Sequence, residues 1–301
     1  MKHHAIEWCG RTQGNAGPSK ADIFAYYMNV APRLLEFLRE RPISTAWLPD
    51  VSTSEFRFAR HAPPRCAQRF PIYRPASLGT PRVDSYLVVP DTDTLVGLLQ
   101  RGCLSFHPWN CRAAAPLQPD RIVFNLDPEA IAFREARNAA LLLQELLADC
   151  GLQSWVKTSG GSGLHVLVPV NGGVSYEDVC RGAELIVSRA MQREPSLFSR
   201  DVRPARRRGR ILIDTSRNHR GETVIAPYAV ATSGLVSTLV ESSELQRPLY
   251  PDDFDMPRVL VREHTDRRIQ EAFFAADQSL DVLLACKRRV NRPSATCETG
   301  R

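Results

Sequence analysis

The chain has 301 residues, of which 43% are apolar and 24% charged, and its net charge is +6. This balance predicts an ordinary globular protein whose core fills one large domain or two modest ones. No run of about 18 apolar residues occurs and no apolar stretch follows the start, so we expect neither membrane spans nor Sec export. The eight cysteines form no C-x-x-C pair, which predicts free thiols in a reducing cytoplasm and disfavours a zinc ribbon or a disulfide scaffold.

The first predicted element is a long helix. Ser19, followed by Asp22 three residues later, has the spacing of a helix N-cap, and Arg41-Pro42 ends the pattern. Pro32 inside it predicts a kink or two consecutive helices, because proline lacks the N–H that the helix needs.

The remaining elements follow from hydrophobic periodicity and turn residues. They are strands at 54–58, 85–89, 121–127, 153–158, 164–169 and 210–214, and helices at 92–100, 131–149 and 176–192. The order mixes helices and strands without a repeat and therefore predicts an α+β architecture. The tail, 287–301, is polar enough to be disordered.

Positive charge is concentrated in one segment. Residues 200–220 hold eight arginines and two aspartates, which accounts for the whole net charge of the chain. Such a segment suits a polyanion, either a nucleic acid or a triphosphate, and a solvated surface loop without a partner is the alternative. Arg206, Arg207 and Arg208 are its candidate DNA contacts.

Two predicted strands end in an aspartate, at Asp127 and Asp214, on either side of a glycine-rich hairpin at 159–163. Carboxylates placed in this way could hold divalent cations beside a phosphate chain, or could each cap a turn. Gly160 and Gly161 would let the backbone approach phosphates, or simply form a tight β-turn. The Walker lysine and its helix are absent, so the loop is not a P-loop.

Two aromatic-rich segments carry further candidates. His107 stands beside Phe106 and Trp109, where a structural histidine and a functional one are both plausible. Phe58 could stack on a base or belong to the core.

Several motifs occur in one order and together resemble a known family. The motifs are Val83-Asp84-Ser85, Gly102-Cys103-Leu104, Phe106-His107-Pro108-Trp109, residues 119–128 (PDRIVFNLDP), Lys157-Thr158-Ser159-Gly160-Gly161, and Gly221 through Ala226-Pro227-Tyr228. They resemble the polymerase domain of bacterial ligase D, in the archaeo-eukaryotic primase superfamily, and the resemblance runs from about residue 19 to residue 245.

The resemblance implies a primase-polymerase-like fold with mixed or antiparallel sheets flanked by helices. It implies a DNA polymerase or primase type of nucleotidyltransferase that fills or extends DNA ends in non-homologous end joining. The substrates would be ribonucleoside or deoxyribonucleoside triphosphates, with Mn²⁺ or Mg²⁺. Asp127, Asp214 and Asn125 match the catalytic, metal-holding positions. The nucleotide-binding positions fall on His107, Ser159, Gly160, Gly161, His165 and Arg217.

Three residues depart from the family pattern. Asn125 replaces the first carboxylate of an Asp-x-Asp motif, and an amide is a poorer cation ligand. Ser162 stands in place of a lysine and Ala231 in place of an arginine, so two cationic positions are lost. These changes predict reduced turnover, with a catalytically inactive binder of DNA ends or nucleotides as the alternative. Nearby arginines, among them Arg207, could compensate.

The resemblance also implies DNA contacts near the first helix, where this chain offers Lys20, and at Arg60-His61, which replace a Lys-His pair. The predicted organisation is a lead at 1–18, a primase-polymerase-like domain at 19–286 with subregions at about 19–118 and 119–245, and the tail. No ligase or phosphoesterase signature is visible, so we expect a separate DNA ligase and a Ku-like protein as partners. The expected location is the cytoplasm, at the nucleoid.

Overall fold

Two sheets with helices packed around them form the part of the chain that a computed structural model describes, residues 18–48, 56–75, 84–128, 131–171 and 173–284. The helices are α1 (Lys20–Leu38), α2 (Pro64–Ala67), α3 (Thr92–Leu99), α4 (Phe133–Ala148), α5 (Tyr176–Arg193), α6 (Pro204–Arg207), α7 (Ser242–Leu245), α8 (Met256–Val261) and α9 (Glu263–Ala275). The strands are β1 (Ile43–Trp47), β2 (Arg57–Ala59), β3 (Ile72–Tyr73), β4 (Tyr86–Leu87), β5 (Cys103–Pro108), β6 (Arg121–Asp127), β7 (Trp155–Thr158), β8 (Leu164–Pro169), β9 (Phe198–Ser199), β10 (Ile211–Asp214) and β11 (Leu239–Val240).

The sheets differ in pairing. The first has the order β2-β1-β4-β3, with β5 also paired to β1, and its strands are antiparallel. The second has the order β11-β7-β8-β6-β10-β9, antiparallel except for the β9–β10 pair. Mixed and antiparallel sheets flanked by helices confirm the predicted α+β class.

Helix α1 is continuous through Pro32, so the alternative of two consecutive helices is wrong. Ser19 and Asp22 form a capping box at its start, as their spacing predicts. Its buried face joins β5 to the segment that precedes β11: the Tyr27 hydroxyl donates to the carbonyl of Leu104 and accepts from the N–H of Val230 at 2.9 Å. This packing keeps the helix continuous although Pro32 lacks the N–H for one intrahelical hydrogen bond.

Prediction of the short strands was less accurate. The strand expected at 54–58 is observed as β2, later in the chain, and its first two predicted residues lie outside the described ranges. The strand expected at 85–89 is only two residues long. The predicted strands β6, β7, β8 and β10 of the second sheet, with helices α3, α4 and α5, appear within about two residues of their predicted bounds, because their periodic patterns are longer. Strands β1, β3, β5, β9 and β11 were not predicted.

Among the described cysteines, Cys66, Cys103, Cys111 and Cys180 are free thiols, as predicted. The sulfur of Cys150 accepts a hydrogen bond from Arg189 at 2.6 Å. Among the described helices, none combines the length and apolar character needed to cross a membrane. Of the predicted lead and tail, only Pro18 lies in the described ranges.

The glycine hairpin between β7 and β8 provides a stability test. Gly160 has φ +76°, and a Cβ added there would lie 2.5 Å from the Cβ of Ala231. We expect Gly160→Ala to lower the free energy of unfolding by about 2–3 kcal/mol, from backbone strain plus steric overlap. The measurement is urea unfolding. Gly209→Ala is the control, since φ is +77° there with open space around the Cβ; equal losses in the two variants would contradict the overlap.

Candidate nucleotide-binding site

A cavity of about 940 Å³ opens between the two sheets. Its first wall comes from β1, β2 and β5, and its second from β6, β8 and the glycine hairpin. Five residues predicted from the sequence line it together: His107, Asn125, Ser159, His165 and Arg217. Residues separated by more than a hundred positions in the chain therefore converge on one space.

Strand register determines the row of polar side chains on the second wall. Asn125 on β6 is paired with Asp214 on β10 and with His165 on β8, and His165 is paired with Lys157 on β7. Directly paired residues project from the same face of a sheet. Asn125 therefore lies between a carboxylate and an imidazole, and Asp127, two residues along β6, projects from the same face.

Both aspartates have partners in the described structure. Asp127 Oδ2 lies 3.0 Å from Nη1 of Arg207. One oxygen of Asp214 accepts the N–H of Ser216 at 2.8 Å, and the other lies 3.9 Å from Nε of Arg217. Asp214 thus makes the turn contact that the structural interpretation predicted, and Asp127 instead belongs to an ion pair.

Asn125, Asp127 and Asp214 present oxygen donors of the type that hard divalent cations prefer. In the described ranges no group of three or more His, Cys, Asp or Glu side chains could hold a metal. The middle member of this set is an amide, so the set contributes only two carboxylates. The two carboxylates carry a charge of −2, which matches one divalent cation better than two. The donor set fits one such cation, which Asp127 and Asp214 would hold together with the Asn125 oxygen.

The opposite side of the row is basic and buried. Burial, with Lys157 and Arg217 nearby, lowers the pKa of His107 to about 3, and the same causes hold the pKa of His165 well below its usual value. His165 Nδ1 has no hydrogen-bond partner within the described residues. Lys157 is fully buried, which holds its pKa well below the usual value, and its Nζ donates to Ser237 Oγ at 2.7 Å. These groups would gain stabilisation from a bound polyphosphate.

The glycine hairpin turns tightly around one hydroxyl. Ser159 Oγ accepts the N–H groups of Gly161 at 3.2 Å and Gly163 at 3.1 Å, while the Ser159 side chain also lines the cavity. The loop is therefore a tight turn placed beside the cavity. Ser162, at the position where the family pattern has lysine, is exposed.

Phe58 belongs to the cavity and not to the core. Its side chain is 59% exposed, and its ring contacts His107 edge-on at 5.3 Å between centroids. Sequence reasoning missed Phe56, Ser105 and Thr223, which line the same space. Alternation along β5 could have indicated Ser105, two residues before His107 on the same face; its Oγ lies 2.9 Å from His107 Nε2.

The predicted DNA contacts near the N-terminal region lie outside this cavity. Lys20 lines a smaller cavity of about 110 Å³ beneath α1. Arg60 donates to Glu222 at 3.0 Å, and His61 Nδ1 lies 3.7 Å from Asp84. Glu222 also accepts from Arg217 at 3.2 Å, so one unpredicted carboxylate holds two predicted cations.

The arginine-rich segment is less cationic than its composition suggests. Arg206 and Arg208 are exposed, as a surface DNA contact requires. Arg207, predicted with them, is buried and paired with Asp127, so it is no surface contact. Its guanidinium also donates to the carbonyl oxygens of Asp201 at 3.1 Å and Val202 at 3.0 Å, which hold the side chain inward.

Two sheets thus enclose a polar cleft with carboxylates on adjacent strands. The structure matches the polymerase domain of Mycobacterium tuberculosis ligase D in complex with DNA, with a TM-score of 0.75 and 25% identity over 85% of this chain and 92% of that one. The model of the LigD primase-polymerase domain matches residues 19–269. The chain belongs to this family.

Among curated relatives, the multifunctional non-homologous end joining protein LigD of Pseudomonas aeruginosa is 36% identical over 234 residues, which is 75% of this chain and 27% of the relative. The bifunctional LigD of Bacillus subtilis is 27% identical over 249 residues, 81% of this chain and 39% of the relative. The chain thus spans between about a quarter and two fifths of these relatives' length.

The low pKa of His107 predicts a pH dependence of stability. The folded state keeps this imidazole neutral down to about pH 3, whereas the unfolded chain takes up a proton near pH 6.5. Stability is therefore complete above about pH 6.5 and is lost as the pH falls toward 3, by roughly 1–2 kcal/mol at pH 5. Urea unfolding of the unmodified protein and His107→Gln at pH 7 and pH 5 measures the difference. An equal pH dependence in both proteins would contradict the assignment.

Proposed function

We propose that the chain is a nucleotidyltransferase that adds ribonucleotides or deoxyribonucleotides to DNA ends or gaps, with turnover reduced by Asn125. The observation that supports this most is the convergence of His107, Ser159, His165 and Arg217 on one cavity beside two strand-borne aspartates. The relatives' names concern end joining, and the similar solved domain is in complex with DNA. From these similarities we infer that DNA is the substrate and that the process is end joining.

The chemistry transfers a nucleoside monophosphate from a triphosphate to a 3′ hydroxyl. The 3′ hydroxyl gives its proton to solvent and its oxygen bonds to the α-phosphorus, while the bond from that phosphorus to the oxygen bridging the α- and β-phosphates breaks and pyrophosphate leaves with the bridging oxygen. In the proposal, Arg217 and the basic side of the row bind the triphosphate, and Ser159 orients it. A divalent cation, when bound by Asp127 and Asp214, neutralises phosphate charge.

Mn²⁺ or Mg²⁺ is the cation, nucleoside triphosphates and DNA ends or gapped DNA are the substrates, and a Ku-like protein and a separate ligase act with the chain. The proposed location is the cytoplasm, at the nucleoid.

A second candidate function is binding of DNA ends or nucleotides without catalysis. It is favoured by Asn125, an amide between Asp214 and His165 in the row, and by the simultaneous loss of cations at Ser162 and Ala231.

Incorporation of a labelled nucleotide on a gapped duplex with a 5′ phosphate, with Mn²⁺ or Mg²⁺, separates the two candidates. We expect slow, metal-dependent incorporation by the unmodified protein. No incorporation, in an assay where a ligase D polymerase domain is active, would reject the transferase. Retained binding of DNA and nucleotide would then support the second candidate.

A further inference from the structure

Strand β2 separates two concave surfaces, and only one of them is the nucleotide cavity. Ala46 on β1 is paired with Phe58 on β2, and both line that cavity. The next pair, Trp47 with Arg57, projects from the opposite face because side chains alternate along a strand. These two residues line a second groove of about 740 Å³.

The second groove, which we call the arginine groove, is strongly cationic. Its arginines are Arg57, Arg65, Arg69 and Arg101, and no aspartate or glutamate is among its lining residues. None of the four forms an ion pair with a carboxylate in the described ranges. By contrast, Arg200 and Arg203 in the arginine-rich segment pair with Glu184 and Asp201.

One of these arginines is held in place by packing. The Arg101 guanidinium lies 5.1 Å from the centroid of Phe70, and its Nη1 donates to the carbonyl of Gly97 at 2.8 Å. Phe70 packs so closely on α3 that a Cβ at Gly97 would lie 2.7 Å from its ring. This charge is therefore positioned, which lowers the entropic cost of binding an anion.

We propose that the arginine groove binds the phosphate backbone of the DNA substrate where the strand continues past the nucleotide cavity and over β2. The charge is complementary to phosphodiesters, and guanidinium groups bind phosphate oxygens through paired N–H donors. The groove is separated from the cavity by the thickness of one strand, so a single DNA molecule can contact both. The inference rests on the proposed function, because it takes DNA as the substrate.

The test compares Arg65→Gln/Arg69→Gln/Arg101→Gln with the unmodified protein in binding gapped DNA across a range of salt concentrations. We expect affinity at 0.1 M salt to fall about tenfold to a hundredfold, and the slope of log K against log salt to lose about two to three units. The matched control is Arg134→Gln/Arg181→Gln/Arg267→Gln, which removes three exposed charges on α4, α5 and α9. If the triple variant unfolds, Arg65→Gln/Arg69→Gln, which changes two exposed side chains, replaces it.

A series of DNA lengths supplies the second measurement. The DNA affinity of the unmodified protein should rise as the DNA is lengthened, until the DNA reaches the arginine groove. The triple variant should not show this increase in DNA affinity, while its affinity for free nucleotide stays unchanged. The groove assignment alone is overturned if the unmodified protein binds and extends DNA but the triple variant binds DNA as well as its control does. The same conclusion holds if affinity does not depend on DNA length. An unmodified protein that binds no DNA overturns the proposed function and the groove together.

Discussion

Asp127→Asn is expected to lower nucleotide incorporation on the order of 10³-fold, equivalent to about 4 kcal/mol of transition-state stabilisation. Asp127 and Asp214 are the charged oxygen donors of the proposed cation site, and the remaining donor, Asn125, is already neutral. Removing one of these two carboxylate charges leaves a single negative charge in the protein to hold a divalent cation beside a triphosphate. The measurement is single-turnover incorporation on gapped DNA with saturating Mn²⁺.

The same substitution also breaks an ion pair, so folding must be measured separately. The Arg207 side chain is 7% exposed and that of Asp127 is 40% exposed, which places the expected stability loss between surface and buried pairs, roughly 1–3 kcal/mol. Asp201→Asn is a matched control, since Asp201 pairs with Arg203 outside the cavity. A rate loss in Asp127→Asn no larger than in Asp201→Asn, with both proteins folded, would reject the metal-holding role.

Local sequence patterns predicted the elements of the second wall of the cavity, β6, β8 and the glycine hairpin, but not β1 and β5 of the first wall. The capping box at Ser19, the glycine hairpin and the strands that end at Asp127 and Asp214 are each determined by residues within a few positions of one another. Their side chains then meet because antiparallel register aligns β10, β6, β8 and β7. The order of motifs along the chain was therefore informative about the site.

Long-range pairing could not be predicted in the same way. Arg207 and Asp127 are 80 residues apart, and Arg60 and Glu222 are 162 apart. A charge count treats such arginines as available cations, whereas folding places a carboxylate against each. The arginine groove shows the converse, because its four arginines are dispersed among polar and apolar residues and form no charge run. Whether an arginine can bind an anion depends on its contacts in the folded protein, and neither periodicity nor composition predicts these contacts.

Asn125→Asp is expected to raise incorporation about tenfold to a hundredfold, equivalent to about 1.4–2.8 kcal/mol. Residue 125 lies between Asp214 and His165 in the row and projects from the same face as Asp127. A carboxylate there supplies a third charged donor, which strengthens the hold on divalent cations. The measurements are the incorporation rate and Mn²⁺ affinity by electron paramagnetic resonance, with Asn29→Asp on the exposed face of α1 as the control for added charge.

The direction in which Asn125→Asp changes nucleotide affinity shows whether the new carboxylate acts through a bound metal ion or directly on the phosphates. With Mn²⁺ present, Asn125→Asp should bind triphosphate more tightly, because the new charge acts through the cation. Without metal, the same charge repels the phosphates, so the affinity should fall. Tighter Mn²⁺ binding without faster incorporation would show that the amide does not limit turnover. The lost cations at Ser162 and Ala231 would then be the limiting departures. Ser162→Lys or Ala231→Arg in the Asn125→Asp background should restore the rate that Asn125→Asp alone did not.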